Sequence, residues 1–134
     1  AGSSRSPLWR GGAIVFGPQP RDYSYRINKK QRRLALRTAL SAKVAEQQFV
    51  VVDALSFEKP KTREMISLLA SLGLADRKVL VITKDKDENV LLSSRNIPGV
   101  SIQTASDVNV YMVMNHDVLL ATKDAVLSLQ EVLQ

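Results

Sequence analysis

Val79-Leu-Val-Ile-Thr83 is the stretch whose reading decides the fold. It is apolar up to its last residue and rich in β-branched side chains, and it shows no polar alternation. Such a run predicts a strand covered on both faces, as in a parallel sheet packed between helices. Three more segments read the same way: Phe49-Val-Val-Val-Asp53, Val100-Ser-Ile-Gln103 and Asp117-Val-Leu-Leu-Ala121. Each pair of strands is separated by a segment of helical character. In Lys61–Leu72, Met65, Leu68, Leu69 and Leu72 recur at i, i+3, i+4 and i+7, with Gly73 as C-cap. Asp85 opens a short helix with Glu88 as its capping-box partner, and the helix ends before Pro98-Gly99. Ser106 or Asp107 caps a helix carrying Val108, Tyr111 and Met112, with Tyr111 read as core. Thr122 caps the last helix, where Val126, Leu129 and Leu133 share a side. Strands alternating with helices imply repeated βαβ units, hence an α/β fold: a three-layer α/β/α domain on a four-stranded parallel sheet.

Upstream, residues 29–46 form a strong helix candidate dominated by Ala, Leu, Lys, Arg and Gln, with Asn28 at its N-cap. At about 100° per residue, Lys30, Arg33 and Arg37 fall within an arc of about 60°, and Leu36, Leu40 and Val44 make an overlapping stripe. The first half of this helix is expected to face an anion and the second half to enter the core. Residues 1–28 read differently. Four of the six glycines and three of the five prolines lie there, which excludes a helix. Leu8, Trp9, Ile14, Val15 and Phe16 are too few to form a core alone. The segment is expected to be an extended basic arm that needs a partner surface, preceding a globular domain over 29–134.

The net charge of +6 is unevenly spread. Residues 1–43 carry ten Lys or Arg against Asp22 alone, whereas residues 44–134 carry nine bases and twelve acids. A basic arm on a mildly acidic body points to a polyanionic partner. Arg5, Arg10, Arg21 and Arg26 are spaced to reach separate phosphates along an extended backbone, each able to bind phosphate oxygens bidentately. Trp9, Tyr23 and Tyr25 are interleaved with them and suit stacking on unpaired bases. RNA is favoured over DNA because no recognition-helix module or zinc finger is visible.

The body offers little chemistry. Ligands in parallel α/β folds sit beyond the carboxyl ends of the strands, yet neither G-x-G-x-x-G nor G-x-x-x-x-G-K-[ST] follows any strand. Asp53 is read as a polar strand end satisfying loop amides. His116, the single histidine, lacks cysteine partners for zinc and is read as ending the helix before the fourth strand. Asp85, Asp87 and Glu88 are read as helix-start acids, and Met112 and Met114 as core or nearby surface. No catalytic residue, metal or cofactor is expected. With no cysteine there is no disulfide. No apolar run is long enough for a membrane span, and the N-terminus lacks the order of a secretory signal.

Longer motifs add a resemblance. Arg5-Ser-Pro-Leu-Trp-Arg-Gly-Gly12, followed by Val15-Phe-Gly-Pro-Gln-Pro-Arg-Asp-Tyr-Ser-Tyr25, resembles the loop segment of the bacterial-type ribosomal protein L-four family. Asn28-Lys-Lys continuing through Arg33-Leu-Ala-Leu-Arg-Thr-Ala-Leu-Ser41 resembles its first basic helix. Val51-Val-Asp, Pro60-Lys-Thr, Asn96 and Thr122-Lys-Asp-Ala-Val126 fit the same pattern, so the resemblance runs along essentially the whole chain. It implies a structural, non-enzymatic constituent of the large ribosomal subunit. Such a protein binds large-subunit ribosomal RNA beside neighbouring ribosomal proteins and supports assembly. It also sends a loop toward the peptide exit tunnel. By this similarity Arg5, Trp9, Arg10, Arg21, Tyr23, Arg26, Lys29, Lys30, Arg33 and Arg37 are the expected RNA contacts. The family's upstream N-terminal segment and Gly-rich loop tip are not in this chain, which corresponds to the returning limb of the loop onward. The expected location is a cytoplasmic large subunit, an organellar ribosome fitting equally. Two other classes remain open at this point: a regulator of its own messenger, and an RNA-directed enzyme.

Overall fold

The computed structural model describes residues 2–133. After residue 28 the elements alternate: α1 (Lys29–Ala45), β1 (Phe49–Val52), α2 (Thr62–Ser71), β2 (Val79–Thr83), α3 (Glu88–Ser94), β3 (Val100–Thr104), α4 (Val110–Asn115), β4 (Val118–Thr122) and α5 (Lys123–Leu133). The strands form one parallel sheet in the order β1-β4-β2-β3. Its register sets Phe49 opposite Leu119, and Val79 opposite both Val118 and Val100.

The side-chain period of two along each strand divides the core into two clusters. Leu80 and Ile82 of β2 and Leu119 and Ala121 of β4 point one way, into Ala39, Val113, Ala125 and Leu129 of α1, α4 and α5. Val79, Val81, Val118 and Leu120 point the other way, into Met65, Leu69 and Val90 of α2 and α3. The expected three layers are present. The path from β1 to β2 to β3 steps one way with its helices on one face. The return from β3 to β4 carries α4 on the other face, as right-handed crossovers require. All five residues of β2 and of β4 are buried. Each Val, Leu or Ile so buried contributes about 1.5–3 kcal/mol.

Helix termini show where local chemistry decided the boundaries. Gly73 at φ 70° ends α2 in a Schellman turn, its N–H donating to the Ala70 carbonyl while Leu74 N–H donates to Leu69. The same motif ends α1, with Gln47 N–H donating to Val44 and Gln48 N–H to Lys43. There the left-handed residue is Gln47, at φ 55°. Thr122 caps α5 as expected, its Oγ1 accepting from Ala125 N–H at 3.3 Å. Two other caps differ from the sequence reading. Asp87, not Asp85, caps α3, accepting from Asn89 and Val90. Asn109, not Ser106 or Asp107, caps α4, accepting from Met112 N–H at 2.9 Å. Asn28 occupies the N-cap of α1 but its side chain makes no capping bond.

Within α1, Ala39 and Lys43 are buried while Val44, counted in the apolar stripe, is 60% exposed. Steps of four residues advance the stripe by about 40° each, so by Val44 it has turned off the core. Lys43 takes the place with its aliphatic stem, and its ammonium donates to Gln48 Oε1 at 2.7 Å and to the Asp117 carbonyl at 3.1 Å. His116 ends α4, its Nδ1 2.7 Å from the Met112 carbonyl and its Nε2 3.0 Å from Ser101 Oγ of β3.

Gln47→Gly relieves a left-handed side-chain conformation and is expected to raise stability by about 0.5–1 kcal/mol, read as a higher urea midpoint at unchanged m. Met65→Ala opens a cavity at a fully buried site and is expected to lower stability by about 2–5 kcal/mol in the same titration.

Candidate nucleic-acid interface

Residues 2–28 contain no helix or strand, and apart from Ser6 and Gly12 all of them are exposed. Backbone hydrogen bonds nevertheless shape the first part into successive turns. Ser6 N–H donates to Ser3, Trp9 to Ser6, Gly12 to Trp9 and Ala13 to Arg5, at 2.9–3.1 Å. Gly12 is required for this packing, since a Cβ there would lie 1.9 Å from the Ser6 carbonyl oxygen. The turns bring Trp9 and Arg10 together around a hollow shared with Ser3 and Ser4.

A second local device follows. The Asp22 carboxylate accepts from Ser24 N–H and from Ser24 Oγ, each at 2.8 Å. These two bonds, the backbone one first, hold the Asp22 carboxyl below its ordinary value of 3.8. The arm's single acid is thereby engaged by Ser24, and among the described residues it forms no ion pair with an arginine. In the same turn the Arg21 guanidinium sits 4.4 Å from the centre of the Tyr23 ring, a cation–π pair. Tyr23 and Tyr25 remain 77% and 85% exposed, so neither packs on the body.

The arm joins α1, whose N-terminal half presents Lys29, Lys30, Arg32 and Arg33 to solvent. Among the described residues no acidic side chain forms an ion pair with these four or with Arg5, Arg10, Arg21 or Arg26; Lys61 pairs with Glu64 at 3.1 Å instead. Arg37 is placed differently, its guanidinium donating to the Leu133 carbonyl and tying α1 to the end of α5. The expected contact residues thus fall into Trp9 with Arg10, Arg21 with Tyr23, and the cations of α1, with Arg5 ahead of the first group and Arg26 between the last two.

A groove of about 830 Å³ opens beside α1, lined among others by Lys29, Arg32, Arg33, Leu36, Val110 and Tyr111. Sequence reading passed over Arg32 and took Tyr111 for core, yet Tyr111 is 71% exposed. It follows the cap residue by two positions, on the side of α4 turned from the sheet, while Val113 takes the buried place.

The carboxyl ends of β2, β3 and β4 are closed off by their own hydroxyls. Thr83 Oγ1 donates to the Asp85 carbonyl at 2.9 Å, and Thr104 Oγ1 to Asp107 Oδ2 at 2.7 Å, while Thr122 caps α5. Asp53 stands exposed after β1; the strand-border carboxylate that does hold a loop amide is Asp117, which accepts from Lys78 N–H at 3.0 Å.

Comparison with known proteins places the chain in a family. The model of the family described as "Ribosomal protein L4/L1 family" matches residues 1–132. The chain belongs to that family. Relatives of the L4/L1 family include the large ribosomal subunit protein uL4 of Moorella thermoacetica, 56% identical over 99% of this chain and 64% of that protein. The proteins of the same name from Carboxydothermus hydrogenoformans and Brevibacillus brevis are 56% and 52% identical over 98% of this chain and 63% of theirs. The chain therefore spans just under two thirds of the length of these relatives. Their shared name is that of a ribosomal protein and not of an enzyme. Among the described residues no helix is long and apolar enough to cross a membrane.

Because the folded Asp22 carboxyl is held below 3.8, its turn is complete above that pH and is lost as the pH falls through the depressed value. A carboxyl-detected NMR titration is expected to show a midpoint below 3.8 for Asp22 that returns toward it in Ser24→Ala.

Proposed function

We propose that this chain is a structural, RNA-binding constituent of the large ribosomal subunit. Its arm and the first half of α1 lie against large-subunit ribosomal RNA, and the α/β body serves as the anchor beside neighbouring ribosomal proteins. The observation that carries the reading is a row of exposed cations, Arg5 through Arg33, that no acid of the described residues neutralises. Concentrating that much like charge on one arm costs self-repulsion, which a polyanion removes. The exposed Trp9, Tyr23 and Tyr25 supply ring faces for unpaired bases, which single-stranded and looped RNA offers in plenty. Support also comes from the relatives, which are named as large ribosomal subunit proteins.

On this reading the protein works by geometry and charge. Turns over residues 3–12 and 22–24 set the spacing of the side chains before RNA arrives, which lowers the ordering cost of binding. The body contributes a rigid base through α1, whose second half is packed on the sheet. The role extends to subunit assembly and to a loop directed toward the peptide exit tunnel, in a cytoplasmic large subunit. Arg37 is assigned a joint part, bracing α1 against α5 while remaining exposed at the border of the interface.

Binding of this chain to large-subunit ribosomal RNA, followed by filter retention, is expected to fall by about 10³-fold or more between 50 and 200 mM salt if six or more phosphates are engaged. Reversing Arg26 and Arg33 to Glu is expected to flatten that slope and leave the circular dichroism spectrum unchanged. A salt-independent affinity would remove the arm from the interface.

A further inference from the structure

Asp22 is the one acid between Arg5 and Arg37. Toward a polyanion its charge opposes that of every charged neighbour. It is ionised at neutral pH, since the Ser24 backbone N–H and hydroxyl hold its carboxyl below 3.8. A carboxylate beside arginines would ordinarily pair with one, yet among the described residues Asp22 makes no ion pair. Both of its oxygens are taken by Ser24, Oδ1 by the backbone N–H and Oδ2 by Oγ, each at 2.8 Å. The Arg21 guanidinium lies instead 4.4 Å from the centre of the Tyr23 ring. Asp22 with Ser24 and Arg21 with Tyr23 are interleaved i, i+2 pairs, the spacing at which side chains share one side of an extended chain. Fixing the first pair therefore restricts where the second can project. Every partner in this arrangement comes from residues 21–24, so it calls on no other part of the chain.

We propose that Asp22 is a positioning residue for RNA: through Ser24 it holds Arg21 and Tyr23 as one unit, whose guanidinium meets a phosphate and whose ring stacks on the adjoining base. The assignment rests on the RNA-binding reading above and gives the arm's acid a part in it. A guanidinium can lie flat on an aromatic ring and still offer its N–H edge to phosphate oxygens, so the contact with Tyr23 and the contact with RNA are compatible. An unpaired arginine and an unpaired tyrosine would each lose rotamer freedom on binding, and a pair already formed loses less. Against that gain stands the repulsion of one carboxylate from the phosphates. Asp22 is fully exposed, so water and salt screen this repulsion, and Arg21 and Arg26 flank it with opposite charge. Ordering two long side chains is the larger of the two costs, and the acid is a net aid to binding.

The test uses the whole chain and large-subunit ribosomal RNA, followed by filter retention at fixed salt, with Asp22→Ala and Asp22→Asn side by side. Each variant raises the net charge by one, so charge alone makes both bind tighter and to the same extent. Asparagine still accepts from Ser24 N–H through its side-chain oxygen and keeps the turn, whereas alanine does not. Asp22→Ala is expected to bind about fivefold more weakly than the wild type, and Asp22→Asn at least as tightly as the wild type. With Arg21 and Tyr23 both changed to Ala, Asp22→Ala is expected to bring no further loss. Without RNA, the Tyr23 ring-current shift on the Arg21 side-chain protons, read by NMR, is expected in the wild type and Asp22→Asn and absent in Asp22→Ala. Residues 21–24 lie outside every helix and strand, so all variants are expected to keep the wild-type circular dichroism spectrum and urea midpoint. Unchanged or tighter binding by Asp22→Ala overturns the assignment and leaves the arm's role standing. So does an equal loss in Asp22→Ala and Asp22→Asn, which makes the carboxylate itself the contact, or a ring-current shift that survives Asp22→Ala. Failure of the wild-type chain to bind the RNA at low salt overturns the RNA reading and this assignment with it.

Discussion

The structure depends on β2 and β4 being buried on both faces at once. An apolar strand in the middle of a parallel sheet cannot be shielded from one side only, so helices must lie above and below it. With α2 and α3 committed to one face, α1, α4 and α5 are left to cover the other. That assignment fixes where α1 can lie. Its second half is clamped over the sheet by Ala39 and by the Lys43 bonds to Gln48 and Asp117. Its first half is exposed and carries the cations and the root of the arm. A hydrophobic constraint in the core thereby sets the direction in which a charged segment leaves the domain.

Much of this was legible in the sequence because the relevant signals are long-period and redundant. Four apolar runs and the helical patterns between them specified the layers and the parallel sheet, and Gly73 and Thr122 marked their helix ends. The caps of α3 and α4 were misplaced because several residues in a row could have served. Asp85, Asp87 and Glu88 compete at one site, and Ser106, Asp107 and Asn109 at the other. Tertiary pairing made the choice. The Ala105 N–H donates to the Thr83 carbonyl, and Ala105 and Val108 are both buried, so the chain must run on before α4 can begin.

The proposed interface could be outlined from the sequence but not drawn in its particulars, for a related reason. Composition and spacing showed a basic arm, and the individual cations could be named. What an unpaired sequence does not reveal is which of two similar side chains the packing turns outward. Tyr111 and Val113 both fit a short amphipathic helix, and the sheet takes Val113 because a branched aliphatic fits closer to β4 than a phenol whose hydroxyl would need a partner. Arg37 shares an arc with Lys30 and Arg33, yet only the fold brings a helix-terminal carbonyl of α5 within its reach.

The three threonines at the ends of β2, β3 and β4 carry an evolutionary consequence. In many doubly wound proteins that rim is where new catalytic activities arise, because its loops can change without disturbing the sheet. Here each hydroxyl already holds the loop or helix that follows it. A mutation introducing a reactive side chain at the rim would first have to loosen those attachments, and a single loosening still leaves the other two in place. The rim of this scaffold is thus held at three separate points, and its shape does not depend on any one of them.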